Sequence, residues 1–282
     1  MGDITIKISG FAGFCWGVER ALEVARSAAN EADGPINTLG PLIHNPGVIA
    51  ELREQGIGVI AEPEEVTSGT VILRSHGVTR EVKNRLSSMN LTVLDATCRF
   101  AKSAQDKAAR LKELGYLVVI LGEHDHPEVL ALRSYAGDES LVVEKPQDLP
   151  DGLPSTRVGV VVQTTQSQER LADLVAHLAP RTKELLVYNT ICSATEQRQA
   201  AAMSMSNDVD AVVVVGGKDS GNTRRLAELC SRAQTRTYHV ETPEELRPEW
   251  FKGVQTVGIT AGASTPPEQI EAVANRIRQI DP

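Results

Sequence analysis

Three of the four cysteines in the sequence occupy similar local settings. Cys15, Cys98 and Cys192 each follow an apolar run that predicts a strand, and each precedes a run of helical periodicity. At Cys15, in "GFCWGVERAL", free backbone N–H groups and the dipole of the following helix would favour a thiolate. Cys230 differs, because it lies within the helical pattern "RLAELCSRAQ" and is expected to be a core residue. The first three cysteines are therefore predicted to be functional.

Three thiolates allow two kinds of metal centre. They can bind Zn²⁺ with one open coordination position, or hold three irons of a [4Fe–4S] cluster and leave the fourth open. A single nucleophilic cysteine would not require the other two. Thiolates are soft ligands that suit both a zinc site and an iron–sulfur cluster, so ligand type does not distinguish the two. The sequence contains no C-x-x-C pair. The cysteines alone therefore do not distinguish a zinc site from an iron–sulfur cluster.

Polar loops recur at comparable distances after the three cysteines. His44, His126 and Ser220 lie in loops that are 29, 28 and 28 residues beyond the preceding cysteine. A second loop follows in each case, with the sequences "RSHGVT", "QTTQSQE" and "AGASTPP". Evenly spaced α/β units could give such offsets by coincidence, but the pattern favours a threefold internal repeat of roughly 85–95 residues. Because ligands bind at strand ends in such sheets, the cysteines and loops are expected to converge on one site.

Two of the loops have the composition of an anion-binding site. "GKDSGNTRRL" places Ser220, Asn222 and Thr223 next to glycine at the start of a helix. "AGASTPPEQI" places Ser264 or Thr265 at the expected N-cap of another helix, followed by proline. Helix N-termini of this kind bind phosphate, although ordinary capping would give the same pattern.

Histidine and glutamate supply possible proton donors. His44 and His76 lie in polar loops after strands, where a ring N–H could donate to a phosphate or a hydroxyl. His126 and Glu128 flank Pro127 at the start of a helix, and Glu128 could hold a proton for delivery to a substrate. An isolated glutamate at that position could equally be solvated or stabilise the helix end.

The elements that would position these residues alternate between strand and helix. A helical pattern covers 101–115, where Gly115 is expected to end the helix. The alternation predicts an α/β fold with parallel sheets covered by helices. The predicted strands are "ITIKI", "TVILRS", "LTVLDA", "YLVVILG", "RVGVVVQ", "ELLVYN", "AVVVVGG" and "TVGITAG". The predicted domains are 15–97, 98–191 and 192–282, the last completed by a strand from residues 1–14.

Composition limits the function further. The chain has 282 residues, of which 41% are hydrophobic and 23% charged, as in ordinary globular proteins. A formal charge of −8 argues against broad nucleic-acid binding. The longest apolar runs are too short to span a bilayer, and no secretory leader is predicted. The sequence thus predicts a cytoplasmic protein with no nucleic-acid or membrane partner and without disulfides.

The ordered motifs closely resemble the IspH/LytB family of 4-hydroxy-3-methylbut-2-enyl diphosphate reductases. Each motif is weak alone, but the set runs in order from residue 13 to residue 264 and is therefore specific. The matching segments are "GFCWGVERA", "IHNPGV", "SHGV", "DATC", "HPEV", "QTTQS", "TICSAT", "RQ" and "GITAGAS". The resemblance implies a trefoil of three similar α/β domains around a [4Fe–4S] cluster held by Cys15, Cys98 and Cys192.

The resemblance also implies the reaction and its residues. It implies reductive dehydroxylation of the allylic diphosphate to isopentenyl and dimethylallyl diphosphates, the last step of the non-mevalonate isoprenoid pathway, with a ferredoxin or flavodoxin as electron donor. Glu128 matches the position that relays protons, and Thr195 matches a residue near the substrate hydroxyl. The residues implied to line the diphosphate site are His44, His76, His126, Thr164, Ser220, Asn222 and Ser264.

Several positions depart from the pattern of the family, among them Leu130 and Ala131, which replace its glycine-containing continuation of "HPEV". Gly221 replaces a serine in the phosphate loop, and Asp219 stands where asparagine is frequent. A carboxylate at Asp219 would be unfavourable beside a diphosphate unless it turned away. Trp16 and Arg99 replace the alanine and proline that usually follow their cysteines. These changes bear on substrate affinity and on the shielding of the cluster.

Three other functions fit parts of the sequence. One is an iron–sulfur dehydratase resembling quinolinate synthase, against which "HPEV" and "TAGAS" argue. Another is a zinc-dependent hydrolase of a phosphorylated compound, which metal analysis would separate from an iron–sulfur enzyme. The third is a non-catalytic iron–sulfur sensor or binding module, for which no basic stripe or exposed amphipathic helix provides a partner surface.

Overall fold

The residues that the structure describes form three parallel sheets of four strands each. The computed structural model describes residues 4–32 and 34–280. Every strand pair in the three sheets is parallel, as expected where strands are joined by helices. The predicted α/β class is confirmed.

The three sheets have the same strand order. The first contains β2 (Ile36–Leu39), β3 (Ile57–Ile60), β4 (Thr70–Leu73) and β5 (Thr92–Asp95), in the order β3-β2-β4-β5. The second contains β6 (Leu117–Leu121), β7 (Leu141–Val143), β8 (Arg157–Val162) and β9 (Glu184–Val187), in the order β7-β6-β8-β9. The third contains β1 (Thr5–Ile8), β10 (Ala211–Val215), β11 (Thr237–Val240) and β12 (Thr256–Ala261), in the order β11-β10-β12-β1. The N-terminal strand β1 thus takes the place that β5 and β9 occupy in the other two sheets.

Helices connect the strands. In the described residues they are α1 (Trp16–Glu31), α2 (Pro46–Glu54), α3 (Arg80–Ser87), α4 (Arg99–Glu113), α5 (Pro127–Ala136), α6 (Gln168–Leu178), α7 (Ser193–Ser206), α8 (Gly221–Ala233) and α9 (Pro267–Arg278). Gly115 follows α4 with φ +76°, which is the left-handed conformation expected after a helix end. None of the helices described is both long and apolar enough to cross a bilayer.

The sequence analysis did not predict four of the strands, namely β2, β3, β7 and β11. Each has only three or four residues, and three of them lie at the edge of a sheet. An edge strand is bonded along one side only and needs no continuous apolar run. The interior strand β10 shows the contrast, because all five residues of "AVVVV" are buried.

The described residues divide into two compact units. One unit consists of residues 4–16, 44–48 and 193–280 and contains the third sheet. The other consists of the remaining described residues up to 192 and contains the first two sheets. The domain boundaries proposed from the sequence stay a prediction.

Candidate functional site

Two of the three cysteines are anchored in the same way in the unit that contains the first two sheets. The backbone N–H of Cys98, after β5, donates to the carbonyl oxygen of Ser75 at 2.9 Å. The backbone N–H of Cys192, after β9, donates to the carbonyl oxygen of Thr164 at 3.1 Å. Each acceptor lies in the loop after the neighbouring strand of the same sheet, β4 or β8. These loops are "RSHGVT" and "QTTQSQE", two of the polar loops found in the sequence.

Cys15 has the corresponding anchor in the other unit. It follows β1, and its backbone N–H donates to the carbonyl oxygen of Ala263 at 3.1 Å. Ala263 lies in "AGASTPP", the loop after β12, which is the neighbour of β1 in its sheet. The same backbone hydrogen bond therefore recurs at all three cysteines.

A short polar side chain shapes two of these strand ends. Asp95 Oδ1 accepts from the backbone N–H of Thr97 at 3.0 Å, and Asn189 Oδ1 accepts from that of Ile191 at 3.2 Å. Both oxygens belong to the residue three positions before the cysteine, in "DATC" and "NTIC". An Asx turn of this kind turns the chain out of the strand before the helix begins.

The thiols at these positions are suited to binding a metal. None of the four cysteines, all of which lie in described segments, forms a disulfide, and Cys15, Cys98 and Cys192 are half-buried. Cys98 is the N-cap of α4, but its side chain makes no capping hydrogen bond. Cys230 lies fully buried on α8, as predicted, and burial raises the pKa of its thiol.

The Glu128 carboxyl is buried and hydrogen-bonded within one unit. It is 2% exposed, and Thr164 donates its backbone N–H to Oε1 at 2.6 Å and its hydroxyl to Oε2 at 2.8 Å. Burial raises the pKa of Glu128 to about 7, against the opposing effect of these two hydrogen bonds. The carboxyl is therefore neither solvated nor simply a stabiliser of the helix end, the alternatives that the sequence left open.

Two histidines lie beside this carboxyl. His126 is the N-cap of α5, and its Nδ1 accepts from the backbone N–H of Glu128 at 3.2 Å. The ring of His76 meets the His126 ring edge-to-face, with centroids 5.3 Å apart. Because Nδ1 of His126 is an acceptor, its Nε2 carries the proton when the ring is neutral.

The start of α8, in the other unit, presents an unsatisfied side chain. Ser220 is the N-cap, and its hydroxyl accepts from the backbone N–H of Thr223 at 3.3 Å. Asn222 is 3% exposed, yet neither its Nδ2 nor its Oδ1 has a hydrogen-bond partner among the described residues. Buried polar atoms normally have partners, so this amide is suited to a ligand that supplies one.

His44 and Ser264 belong to the same unit as Asn222. The Ser264 hydroxyl donates to the carbonyl oxygen of His44 at 3.0 Å, and the Asn45 amide donates to that of Ser264 at 2.9 Å. A Cβ placed on Gly217 would lie 2.7 Å from the His44 carbonyl oxygen, so the loop after β10 also lies against this segment. Glycine is required there by close backbone approach.

One capping prediction is wrong. Neither Ser264 nor Thr265 caps α9, because the helix begins at Pro267 and its N-cap is Pro266. A residue that precedes proline is held in the extended region, as ψ 152° at Pro266 shows. The hydroxyl of Thr265 instead donates to the carbonyl oxygen of Val215 at 3.0 Å.

The departures from the family pattern lie at defined places. Asp219 is exposed, the orientation that a carboxylate near a diphosphate would require. Gly221 is the first residue of α8 and is buried. Trp16 is 49% exposed, and the exposed Arg99 lies over the ring of Phe100.

Three further buried residues belong to the site description. Thr195 was predicted from the sequence to be a site residue, whereas Asn45 and Arg198 were not. Thr195 is buried in the first turn of α7. Asn45 also accepts from the backbone N–H of Val48, and the Asn-Pro pair before a helix could have signalled this cap. Arg198, in the "RQ" pair, is buried on α7, and no pattern in the sequence pointed to its burial.

These features define an α/β protein whose described residues form three parallel sheets. Cysteines follow corresponding strands, the Glu128 carboxyl is buried, and the start of α8 is suited to binding an anion. A sequence profile described as LytB protein matches residues 6–278. The chain belongs to the LytB family.

Relatives with assigned names are similar over nearly the whole chain. A 4-hydroxy-3-methylbut-2-enyl diphosphate reductase from Anaeromyxobacter sp. (strain Fw109-5) is 47% identical, over 98% of this chain and 97% of its own length. The reductase of that name from Aquifex aeolicus (strain VF5) is 43% identical, over 98% and 97% of the two chains.

Solved structures have the same fold. A structure of (E)-4-hydroxy-3-methyl-but-2-enyl diphosphate reductase, described as the terminal enzyme of the non-mevalonate pathway, aligns with a TM-score of 0.71 and 43% identity. The alignment covers 98% of this chain and 100% of that one. A diphosphate reductase structure from Plasmodium falciparum aligns with a TM-score of 0.91 over 98% and 88% of the two chains; at 24% identity it bears on the fold alone.

Proposed function

We propose that this chain is a 4-hydroxy-3-methylbut-2-enyl diphosphate reductase. It removes the allylic hydroxyl as water, using two electrons and two protons, and yields isopentenyl and dimethylallyl diphosphates. Membership of the LytB family and the names of its close relatives support the reaction. The observation that carries the cofactor is the threefold recurrence of one backbone hydrogen bond at Cys15, Cys98 and Cys192.

The cofactor is a [4Fe–4S] cluster held by these three cysteines. Half-buried thiols that form no disulfide and stand at helix starts suit iron ligation, because each cysteine can supply one sulfur ligand to the cluster. When bound, the cluster supplies electrons and an iron with Lewis acidity towards the substrate hydroxyl.

The start of α8 and its neighbours bind the diphosphate. The unsatisfied Asn222 amide donates to a phosphate oxygen, next to the N-terminal N–H groups of α8. Ser220 and His44 belong to the same unit and add donors, and Ser264, whose hydroxyl donates to the carbonyl oxygen of His44 in the free protein, is assigned to the same site. The remaining residues assigned to substrate are His76, His126, Thr164 and Thr195. Fixing the diphosphate orients the allylic end for reaction.

Glu128 holds the proton that leaves with the hydroxyl. Its raised pKa keeps much of the carboxyl protonated at neutral pH. After proton transfer the carboxylate retains both hydrogen bonds from Thr164, which stabilise the charged form. His126 presents Nε2–H as a donor, because its Nδ1 already accepts from the backbone.

A small redox protein, a ferredoxin or flavodoxin, is proposed to deliver the electrons one at a time. A chemical reductant can replace it in the test, so the reaction can be examined without knowing the donor.

Anaerobic reconstitution tests the proposal. The wild-type protein is reconstituted with iron and sulfide and assayed for reduction of the allylic alcohol diphosphate with a chemical reductant. Iron, sulfide and zinc contents are measured on the same sample. Each of C15S, C98S and C192S is expected to lose iron and activity. C230S, at a buried position on α8, is expected to retain both. A wild-type protein that takes up zinc but no iron, or that holds iron without reducing this substrate, would overturn the proposal.

A further inference from the structure

A buried arginine contacts the turn that carries Cys15. Arg198 lies on α7, one turn after Thr195, and is only 3% exposed. Its Nη2 donates to the carbonyl oxygen of Gly13 at 2.6 Å, and its Nη1 donates to that of Ala194 at 3.2 Å. A guanidinium remains charged at any ordinary pH, so a permanent positive charge lies next to this turn.

The position of Gly13 favours glycine. Its φ is +102°, a conformation that favours glycine, and an added Cβ would lie 3.3 Å from Ile270 Cδ1. Two residues later, the backbone N–H of Cys15 donates a hydrogen bond to the carbonyl oxygen of Ala263. The turn from Gly13 to Cys15 is therefore fixed on one side by the loop after β12 and on the other by Arg198.

We propose that Arg198 is a positioning residue for Cys15, holding the sulfur in place for the cluster and favouring the reduced cluster through its charge. The inference rests on the proposed function, because it takes Cys15 to be an iron ligand. Two peptide units span at most about 7 Å, so the guanidinium lies within roughly 10 Å of Cys15. A unit charge at that distance inside a protein shifts a one-electron equilibrium by about tenfold.

Two substitutions separate the contact from the charge. R198M removes both, whereas R198K keeps the charge but loses the planar fork that reaches two carbonyl oxygens. R225M is the matched control, because Arg225 is equally buried in the same unit but pairs with Glu228 one turn along α8. The reconstituted holoproteins are compared by midpoint potential, from a spectroscopic redox titration, and by the rate of iron loss to a chelator.

The expected results differ between the variants. R198M is expected to lose iron at least tenfold faster than wild type and to be harder to reduce by about tenfold, or about 59 mV for one electron. R198K is expected to lose iron faster as well but to keep a potential close to wild type. R225M is expected to match wild type in both measurements.

Two results would overturn the inference. One is a folded R198M protein with wild-type iron retention and potential; the other, decisive if R198M does not fold, is wild-type iron retention in R198K. Circular dichroism of the metal-free variants reports folding independently. Failure of the proposed function is distinguishable, because the wild-type protein itself would then take up no cluster or would hold one without reducing the allylic diphosphate.

Discussion

Glu128 and Asn222 are both buried polar side chains predicted to meet the substrate, but their surroundings are opposite. Glu128 already has two hydrogen bonds, both from Thr164, whereas the side-chain amide of Asn222 has none with any residue that the structure describes. A proton donor must be held with a set pKa before the substrate arrives, and burial, opposed by the two hydrogen bonds from Thr164, sets the pKa of Glu128. A group that binds a ligand contributes most to affinity when its hydrogen bond forms only in the complex.

A second asparagine sharpens this comparison. Asn45 is as buried as Asn222, at 3% exposure, and lies in the same unit. Its amide donates to Ser264 and Gln269 and accepts from Val48, so it is satisfied without a ligand. Residue type and burial are thus equal, and only the hydrogen bonds separate a structural asparagine from one available to substrate.

The largest expected effect is on turnover, through Glu128. E128Q keeps the shape and burial of the side chain but removes the proton that it can donate, so kcat is expected to fall at least about 100-fold. Iron content and the cluster spectrum are expected to stay at wild-type values. E139Q, at an exposed position beyond α5, serves as the control and is expected to retain activity. Full activity in E128Q would remove the proton role.

The next effect is on substrate affinity, through Asn222. N222A is expected to raise KM about 10-fold to 100-fold, because a hydrogen bond to a charged group contributes about 1.5–3 kcal/mol. Its melting temperature without substrate is expected to be at or above the wild-type value, since the Asn222 side chain makes no hydrogen bond within the described part of the chain.

N45A is the matched comparison for N222A. Loss of the three hydrogen bonds of Asn45 is expected to lower the melting temperature by about 5 °C, since each bond is worth about 1 kcal/mol. If N222A were destabilised as much as N45A, with an unchanged KM, Asn222 would be a structural residue and the contrast between the two would disappear.

A smaller effect is expected on the pH dependence of activity. The hydroxyl of Thr164 lowers the pKa of Glu128, so T164V is expected to raise that pKa further and keep the carboxyl protonated to higher pH. The alkaline limb of kcat/KM should then move to higher pH in T164V, while T164S, which keeps the hydroxyl, should follow wild type. A shift to lower pH would contradict the assignment of this limb to Glu128.

The sequence predicted the positions of the site better than its interactions. The cysteines and the loop sequences around Ser75, Thr164 and Ala263 were found from spacing, because a repeated backbone geometry places similar residues at similar intervals. The edge strands β3, β7 and β11 were missed, since a strand bonded on one side needs no long apolar run.

Side-chain interactions were harder to predict from the sequence. The unsatisfied amide of Asn222 and the contact of Arg198 with Gly13 depend on packing between segments up to 185 residues apart. No local pattern records such contacts. Likewise, the burial of Glu128 depends on Thr164 in a distant loop, so a glutamate at a helix start looked the same as a solvated one.

The last expected effect is on the stability of the protein, and it measures the energetic cost of burying the Glu128 carboxyl separately from the role of its proton in catalysis. Burial raises the pKa of Glu128 to about 7, above its ordinary value of 4.5, so between these values the native state keeps a proton that the unfolded chain has lost. Stability from this group is full at low pH and falls by about 3 kcal/mol as the pH rises through about 7. E128Q cannot titrate, so melting temperatures of the metal-free proteins should show E128Q gaining on wild type between about pH 5 and pH 8. A constant difference between the two proteins over that range would mean that the Glu128 carboxyl titrates near its ordinary value, and its surroundings would then be no better prepared for substrate than those of Asn222.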